Sequence, residues 1–228
     1  MRNQQDIALN GVRKSVLIVE DHTIMRYGLT QLIQAQADLE VYGEAENVRQ
    51  ALSALISPFP DLILTDVTMD GPSGLELAEM VREQHPTIPV LILSMHDETI
   101  FAERALRAGA RGYIMKNEPA EQLLEAIRRV LGGQVYISDR VSARILDSIS
   151  TGRPYHESSP LSVLTDREFE VFRLMSQALP TDEIGQRLCI SEKTVETHRR
   201  HIREKLKLES GAEVRKYAVR WGAIHDMI

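Results

Sequence analysis

The chain has 228 residues, of which 43% are hydrophobic, and its formal charge at pH 7 is −6. This composition excludes a chain that is disordered throughout, and the length allows two domains of ordinary size. The single cysteine, Cys189, excludes an intrachain disulfide framework and a cysteine-rich metal site, which favours a reducing compartment. The N-terminus is polar, and no apolar run approaches the roughly 20 residues that span a bilayer. We therefore expect a cytoplasmic protein with no membrane partner.

The first half of the chain alternates short apolar runs with amphipathic stretches, a pattern typical of βα units around a parallel sheet. The predicted strands cover residues 15–19, 40–44, 62–65, 90–93 and 112–114. The predicted helices cover residues 25–34, 48–56, 75–84, 100–108 and 120–131. Residues 14–134 are therefore predicted to form an α/β domain with a doubly wound, five-stranded parallel sheet of the flavodoxin-like kind.

The second half has a different composition. Residues 135–160 begin with a possible short helix at 141–149 and are then rich in Ser, Thr, Gly, His and Pro, which indicates a linker. Residues 161–228 are predicted to form a small all-α domain with helices at 166–177, 182–188, 192–206 and 211–221. The segment from Arg187 to Lys207 contains seven basic and three acidic residues, a net charge of +4. Such a segment indicates a possible nucleic-acid binding surface.

Polar residues follow the strands of the first domain, where ligands bind in open α/β sheets. Glu20 and Asp21 follow the first strand and Asp66 follows the third. Ser94 follows the fourth strand and Lys116 lies just beyond the fifth. Crowded carboxylates repel one another unless a hard cation such as Mg²⁺ lies among them. Since a carboxylate beside such a cation can attack a phosphoryl group, Asp66 on the central strand is the expected nucleophile.

Other readings of these residues are weaker. Taken singly, Glu20, Ser94 or Lys116 is more often an exposed strand-end group or a helix cap. A flavin-phosphate site would require a Gly- and Ser/Thr-rich loop after the first strand, and the sequence has no G-x-x-x-x-G-K-[ST] loop for a nucleotide.

Several runs in this half resemble the receiver domain of bacterial response regulators. They are VLIVEDH at 16–22, DLILTDVTM at 61–69 with Ser73–Gly74, Leu93–Ser94, and GYIMK at 112–116. The resemblance implies that Asp66 is the phosphoacceptor, supplied by a sensor histidine kinase. It also implies that Lys116 contacts the phosphoryl group and that Ser94 and Tyr113 form a switch pair. The implied Mg²⁺ ligands are the side chains of Glu20, Asp21 and Asp66 and the backbone carbonyl of Thr68.

The helical domain has a basic, two-faced helix that suits a helix-turn-helix. On the helix at 192–206, Val195, Ile202 and Leu206 can face a core. The residues left toward DNA or solvent are Lys193, Thr194, Glu196, Thr197, Arg199, Arg200 and Arg203. From the spacing alone, a solvated basic face on an ordinary helix is an equally good interpretation.

The runs LTDREFEV at 164–171 and ISEKTVETHR at 190–199, with Lys205–Leu206, resemble the four-helix DNA-binding domain of the LuxR and NarL type. By that resemblance Glu196, Thr197 and Arg200 read bases, and Lys193, Thr194, His198 and Arg199 lie near the DNA backbone. Glu196 could accept a hydrogen bond from a cytosine amino group.

The helix-turn-helix also has unusual residues. Ala178–Leu179–Pro180 replaces the usual glycine-containing turn. Gly185 is expected to lower helix stability by roughly 1 kcal/mol relative to alanine. Cys189 is expected to be a small packed hydrophobe.

The two resemblances together predict a response regulator of the NarL/FixJ family, a transcription factor that is not an enzyme beyond assisting its own phosphoryl transfer and dephosphorylation. Phosphorylation of Asp66 would control homodimerisation and binding to double-stranded DNA, and it could equally free a recognition helix that the receiver masks. One alternative is a phosphorylation-independent regulator whose receiver only binds partners or dimerises. Asp70 favours this alternative, because it stands where the family usually has proline and adds a negative charge beside the metal site. An aspartyl-phosphate phosphatase would require a second acid where Thr68 stands.

Overall fold

The computed structural model describes residues 13–69, 71–95, 98–151 and 160–225. Asp70 and residues 152–159 of the predicted linker lie outside these ranges. The described residues divide into two compact units. Those at 13–95 and 105–137 form the first, and those at 98–104 and 138–225 form the second. No helix in the described ranges is long and apolar enough to cross a membrane.

The first unit contains the predicted five-stranded parallel sheet. The strands are β1 (Lys14–Val19), β2 (Leu39–Ala45), β3 (Leu62–Asp66), β4 (Val90–Ser94) and β5 (Gly112–Met115). Their order in the sheet is β2-β1-β3-β4-β5, and every neighbouring pair is parallel. The prediction of the sheet is confirmed, and each strand lies within one residue of its predicted ends.

Five helices accompany the sheet. They are α1 (Thr23–Gln34), α2 (Val48–Ala54), α3 (Gly74–Gln84), α4 (Glu98–Ala108) and α5 (Ala120–Leu131). Apolar residues of α1 and α5 pack on alternate residues of the strands, such as Val16, Leu62 and Leu91, to form one buried cluster. Strand residues of the other parity, such as Leu17 and Ile63, are also fully buried, as expected for a sheet covered on both faces.

The second unit is helical. Its helices after α4 are α6 (Asp139–Thr151), α7 (Asp166–Ser176), α8 (Thr181–Arg187), α9 (Glu192–Lys205) and α10 (Gly211–His225). A short 3₁₀ turn at Pro160–Val163 precedes α7. Phe169 and Phe172 of α7 pack against Trp221 of α10, with ring centroids 5.6 and 5.7 Å apart. This aromatic packing joins α7 to α10 within a core that also contains buried aliphatic side chains such as Ile184, Leu188 and Ile202.

Candidate functional site

The strand register brings the predicted acidic residues to one edge of the sheet. Val19 of β1 lies beside Thr65 of β3, so Glu20 and Asp66 emerge next to each other at the carboxyl ends. On the other side of β3, Ser94 ends β4 beside Met115 of β5, and Lys116 follows directly. Because all these strands are parallel, the topology alone gathers the side chains that the sequence predicted.

A buried ion triad lies at the centre of this edge. The Nζ atom of Lys116 lies 2.7 Å from Oε2 of Glu20 and 2.8 Å from Oδ2 of Asp66. The three side chains are only 8%, 1% and 6% exposed, respectively. One ammonium thus bridges two carboxylates with little water present, which strengthens the electrostatic interactions among them.

Burial sets the protonation of the triad. It raises the pKa of Asp66 to about 6, with Glu20 adding to the rise and Lys116 and the Thr68 amide opposing it. Burial lowers the pKa of Lys116, but the carboxylates of Asp66 and Glu20 raise it by more, so the ammonium form is favoured. Between pH 7 and 8, Asp66 is therefore mainly an ionised carboxylate, the form that a nucleophile requires.

The acidic edge fits a divalent cation. Potential ligand atoms of Glu20, Asp21, His22 and Asp66 all lie within 4.8 Å of one another. Three carboxylates around the single positive charge of Lys116 leave an excess of negative charge, and carboxylate oxygen is the donor that Mg²⁺ prefers. Asp21 is only partly buried, so the cluster is open to solvent on its side.

His22 was not among the predicted site residues. Its Nδ1 atom lies 3.0 Å from Oε1 of Glu20 and 2.9 Å from Oδ1 of Asp21. The signal in the sequence was its place directly after the two acids. We expect an outer role for it, because its side chain is largely exposed and imidazole suits softer metals than Mg²⁺.

The predicted switch residues are buried beside the triad. Ser94 is fully buried, and its carbonyl accepts the backbone N–H of Lys116 at 2.7 Å. Tyr113 of β5 is only 2% exposed, so its ring already lies inside the domain. Both residues are therefore buried on β4 and β5, and Ser94 is hydrogen-bonded through its backbone to Lys116 of the triad.

Gly74 at the start of α3 fixes the position of the Asp66 backbone. A side chain at position 74 would overlap the carbonyl oxygen of Asp66, and the N–H of Gly74 donates to the carbonyl of Val67 at 2.9 Å. The hydroxyl of Ser73 and the carboxylate of Glu76 form the predicted capping box around this helix start. The contact requires glycine because no other residue lets the two segments approach so closely.

In the second unit, α8 and α9 form the predicted helix-turn-helix. The N–H groups of Cys189 and Ile190 donate to the carbonyls of Gln186 and Gly185 at 3.1 and 2.9 Å, a Schellman ending of α8. Ser191 then caps α9 by accepting from the N–H of Thr194 at 3.1 Å. The turn is thus held by backbone hydrogen bonds and one side-chain cap.

Two predictions about this turn need correction. Cys189 is exposed, with φ at 52°, so it is a turn residue and not a packed hydrophobe. A Cβ at position 185 would lie 2.8 Å from the carbonyl oxygen of Ile190. The gain in helix propensity that alanine would bring at Gly185 is therefore opposed by a clash with the turn.

The apolar face of α9 is as predicted. Val195 and Ile202 are fully buried and Leu206 is half-buried. Among the cations expected to face DNA, Lys193 and Arg200 are exposed and Arg203 is half-buried. Among the cations predicted to face DNA, Lys193 and Arg200 are therefore the most openly presented.

Glu196 and Arg199 are bound to each other and to α8. The Oε1 atom of Glu196 accepts from Nη1 of Arg199 at 2.7 Å and from the hydroxyl of Thr181 at 3.0 Å. Arg199 also donates to Thr181 at 2.7 Å. The acid and the base largely neutralise each other, so this pair fastens α9 to the start of α8.

The other predicted contact residues are engaged within the domain. The hydroxyl of Thr197 donates to the carbonyl of Lys193 at 3.0 Å, and the hydroxyls of Thr194 and Ser191 are 2.8 Å apart. Burial, together with Arg167 and His201, lowers the pKa of His198 against the opposing effect of Glu168. His198 is thus uncharged at neutral pH, and a favourable charge interaction with phosphate is not expected from it.

Comparison with known families yields two matches. Residues 16–128 match the family described as "Response regulator receiver domain". Residues 162–218 match the family described as "Bacterial regulatory proteins, luxR family". The first match contains the acidic edge and the second contains α7, α8 and α9.

Two curated proteins and two solved structures are also similar to this chain. The oxygen regulatory protein NreC of Staphylococcus carnosus (strain TM300) is 34% identical over 209 residues, covering 90% of this chain and 96% of that protein. The response regulator GacA of Pseudomonas aeruginosa is 34% identical over 209 residues, covering 92% and 97%. A solved LuxR-family response regulator from Aurantimonas sp. SI85-9A1 is 29% identical, with a TM-score of 0.56, over 61% of this chain and 99% of that one. RcsB of Salmonella typhimurium is similar in fold, with a TM-score of 0.65 at 22% identity over 91% and 98%.

Proposed function

Because the chain belongs to the response regulators that join a receiver domain to a LuxR-type DNA-binding domain, we propose that it is a cytoplasmic transcription factor controlled by phosphorylation of Asp66. The observation that carries this proposal is the buried triad, in which Lys116 bridges Asp66 and Glu20 at 2.8 and 2.7 Å. A phosphoacceptor requires an ionised, water-shielded carboxylate beside a cationic side chain, and Asp66 meets both conditions.

The phosphoryl group would come from a phosphorylated histidine of a sensor kinase. A carboxylate oxygen of Asp66 attacks the phosphorus atom and forms an acyl phosphate. The bond between phosphorus and the imidazole nitrogen breaks, and its electron pair stays on that nitrogen. The ionised form of Asp66 makes the attack possible without a separate base, since there is no proton to remove.

The neighbouring residues prepare the site for this added charge. Mg²⁺ held by Glu20, Asp21, Asp66 and the Thr68 carbonyl would supply neutralisation of the phosphoryl oxygens. Lys116 would exchange its contact with Asp66 for one with a phosphoryl oxygen, since it already lies within 2.8 Å of that carboxylate. Ser94 would donate a hydrogen bond to another phosphoryl oxygen.

The signal would then leave the site through Ser94 and Tyr113. The ring of Tyr113 is already buried in the unphosphorylated chain. Phosphorylation would therefore increase the population of a conformation that the unphosphorylated chain can also adopt. The altered receiver surface would promote a homodimer, which sets two copies of α9 on half-sites of double-stranded DNA related by two-fold symmetry. Arg200, Lys193 and Arg203 are the DNA-facing cations that we propose to matter most.

Intact-mass measurement tests the first step. Wild-type protein and Asp66→Asn are incubated with acetyl phosphate and Mg²⁺, with and without a chelator. We expect a mass gain of one phosphoryl group in the wild type only, and its loss with the chelator. No gain in the wild type, or an equal gain in Asp66→Asn, would contradict the assignment of Asp66.

DNA binding and oligomeric state test the second step. With phosphodonor present, we expect the wild type to dimerise and to bind its operator more tightly, and Asp66→Asn to do neither. If both proteins bind DNA and dimerise equally, the receiver acts independently of phosphorylation, and the alternative regulator is the correct interpretation.

A further inference from the structure

Arg26 on α1 is a buried arginine next to the acidic edge. It is 8% exposed, whereas arginine is rarely buried without a specific set of partners. Its Nη1 atom donates to the backbone carbonyl of Glu20 at 2.6 Å and lies 3.4 Å from that of Asp21. The guanidinium therefore contacts the main chain of both acids while leaving their carboxylates toward Asp66.

The other side of the guanidinium is anchored on residues at the end of β2. Its Nη2 atom lies 2.8 Å from Oε1 of Glu46, and its Nε atom lies 3.3 Å from Oε2 of Glu44. Glu44 is itself held, because its Oε1 atom accepts from the hydroxyl of Thr30 at 2.9 Å. The planar fork of arginine makes all these contacts at once, which a lysine ammonium cannot do.

These contacts fix the loop that joins β1 to α1. The N–H of Glu20 donates to the carbonyl of Ala45 at 3.0 Å, and the carbonyl of Glu20 accepts from Arg26. His22, at the N-cap of α1, makes no side-chain capping hydrogen bond to the helix. With both neighbouring peptides of Glu20 held, the direction of its side chain is set before any ligand arrives.

We propose, on the premise of the function proposed above, that Arg26 is a positioning residue that holds Glu20 and Asp21 ready for a divalent cation. A loop that is ordered beforehand loses less entropy when a ligand binds, and outer contacts that orient metal ligands typically change metal affinity by about 10- to 100-fold. Arg26 does not touch the cation site itself, so it acts through the backbone of the two acids.

The sign of the expected effect separates positioning from simple electrostatics. Removal of a positive charge close to an acidic cluster would, by Coulomb attraction alone, tighten the binding of a cation. Loss of positioning has the opposite effect and weakens it. The dissociation constant for Mg²⁺ therefore distinguishes the two roles directly.

The test compares full-length wild type, Arg26→Met and Arg26→Lys by calorimetric titration with Mg²⁺. We expect the dissociation constant to rise about tenfold in Arg26→Met and less in Arg26→Lys, which keeps the charge and N–H donors but loses the planar fork. The rate of phosphorylation by acetyl phosphate at saturating Mg²⁺ should stay within about twofold of the wild type, since Asp66 and Lys116 are untouched.

Arg128→Met is the matched control. Arg128 makes a two-point contact with Asp38, from Nε at 2.7 Å and from Nη2 at 2.9 Å, at the surface and outside the acidic edge. This variant removes the same charge and the same kind of ion pair, and it should bind Mg²⁺ as the wild type does. An equal weakening in both variants would mean a general loss of stability and would overturn the proposal.

Glu46→Gln gives a second route if Arg26→Met does not fold. It keeps the arginine but weakens the anchor 2.8 Å away, and we expect a smaller rise in the dissociation constant, of about twofold. Unchanged or tighter Mg²⁺ binding in the folded variants overturns the positioning role alone. A wild type that binds no Mg²⁺ and takes no phosphoryl group overturns the proposed function instead.

Discussion

The two units of the molecule end their helices with different residues. In the receiver unit, Gly109 and Gly133 follow α4 and α5 with φ angles of 106° and 80°. In the DNA-binding unit, Ala178, Cys189 and Lys207 follow α7, α8 and α9 with φ angles of 60°, 52° and 55°. A left-handed residue other than glycine costs roughly 1 kcal/mol, so the DNA-binding unit carries backbone strain at three positions, whereas the described residues of the receiver unit adopt this conformation only at glycine.

The proposed functional residues of the two units also differ in how exposed they are. Asp66, Glu20 and Lys116 are buried and fixed by packing, whereas Lys193 and Arg200 are exposed on a short, strained scaffold. The comparison teaches that substitutions in the receiver act through close packing, and those in the DNA-binding unit act through turns and surface charge. The predictions below test this contrast, beginning with the largest effect.

Gly74→Ala should produce the largest loss of stability. The new methyl group overlaps the carbonyl of Asp66, and overpacking of this kind costs about 3 kcal/mol. Chemical denaturation followed by circular dichroism measures the loss. Trp221, the only tryptophan, lies in the other unit, so its fluorescence transition should move much less.

Gly28→Ala is the matched control for that change. Gly28 lies in α1 with open space around its missing side chain, and alanine should raise stability by up to about 1 kcal/mol through helix propensity. Equal destabilisation by the two substitutions would contradict the view that the contact with Asp66 is what requires glycine at position 74.

Glu168→Gln should have the next largest effect, on the DNA-binding unit. Burial raises the pKa of Glu168, but its hydrogen bonds from Lys205 and Thr165 lower it by more, to a value below the usual one. A depressed carboxyl pKa stabilises the fold above the ordinary pKa of about 4.3, and that stability is lost as the pH falls below it.

The glutamine variant should therefore lose about 2 kcal/mol at pH 7, because a charge-assisted hydrogen bond is gone. Its stability should also vary less than that of the wild type between pH 5 and about 3. Denaturation followed by Trp221 fluorescence at several pH values gives both results. A variant with the same acid dependence as the wild type would show that Glu168 is not the titrating group.

Glu196→Gln should change DNA binding by a smaller amount. It removes a negative charge from α9 and breaks the ion pair of Glu196 with Arg199, whose Nη1 atom lies 2.7 Å from Oε1 of Glu196 in the wild type. Affinity for nonspecific duplex DNA should rise about fivefold, and the salt dependence should steepen by about one unit of slope. Fluorescence anisotropy across a salt series measures both quantities.

Glu125→Gln is the control for net charge, because Glu125 lies on α5 in the receiver unit and pairs with Arg129 in an exposed contact at 2.6 Å. It should leave DNA affinity unchanged. If Glu196→Gln also loses preference for the operator, then Glu196 contributes to sequence reading in addition to fastening α9.

Ala178→Gly should have the smallest effect, a gain in stability. Glycine relieves the strain of the left-handed backbone but loses more conformational entropy on folding, and we expect a net stabilisation of about 0.5 kcal/mol. The methyl group of Ala178 is exposed, so its removal costs little packing energy. The Trp221 transition should shift to higher denaturant concentration. A shift to lower concentration would mean that the turn at Ala178 is not strained, and the contrast between the units would weaken.

The sequence predicted the sheet, the ends of its strands and the proximity of Glu20, Asp66 and Lys116. Alternating apolar runs and amphipathic stretches locate the strands, and the carboxyl ends of parallel strands lie at one edge of the sheet. Arg26 was missed because its partners are backbone carbonyls and acids of another strand. The prediction that Cys189 is a packed hydrophobe was wrong. It rested on the hydrophobicity of cysteine, which does not indicate that the residue occupies an exposed, left-handed turn position. The hydrogen bonds among Glu196, Arg199 and Thr181 depend on the angle at which α8 and α9 cross. The spacing of residues in the sequence does not determine that angle.

The position of Lys116 bears on how quickly the receiver can be reset. Its ammonium already satisfies Glu20 and Asp66, so an incoming cation and phosphoryl group compete with an internal counter-ion. In the proposed cycle, the same ammonium would return to the two carboxylates after hydrolysis of the acyl phosphate and would again neutralise one of their charges. Competition of this kind would make occupancy of the proposed site by the cation and the phosphoryl group readily reversible, as a regulator that responds to a falling signal requires.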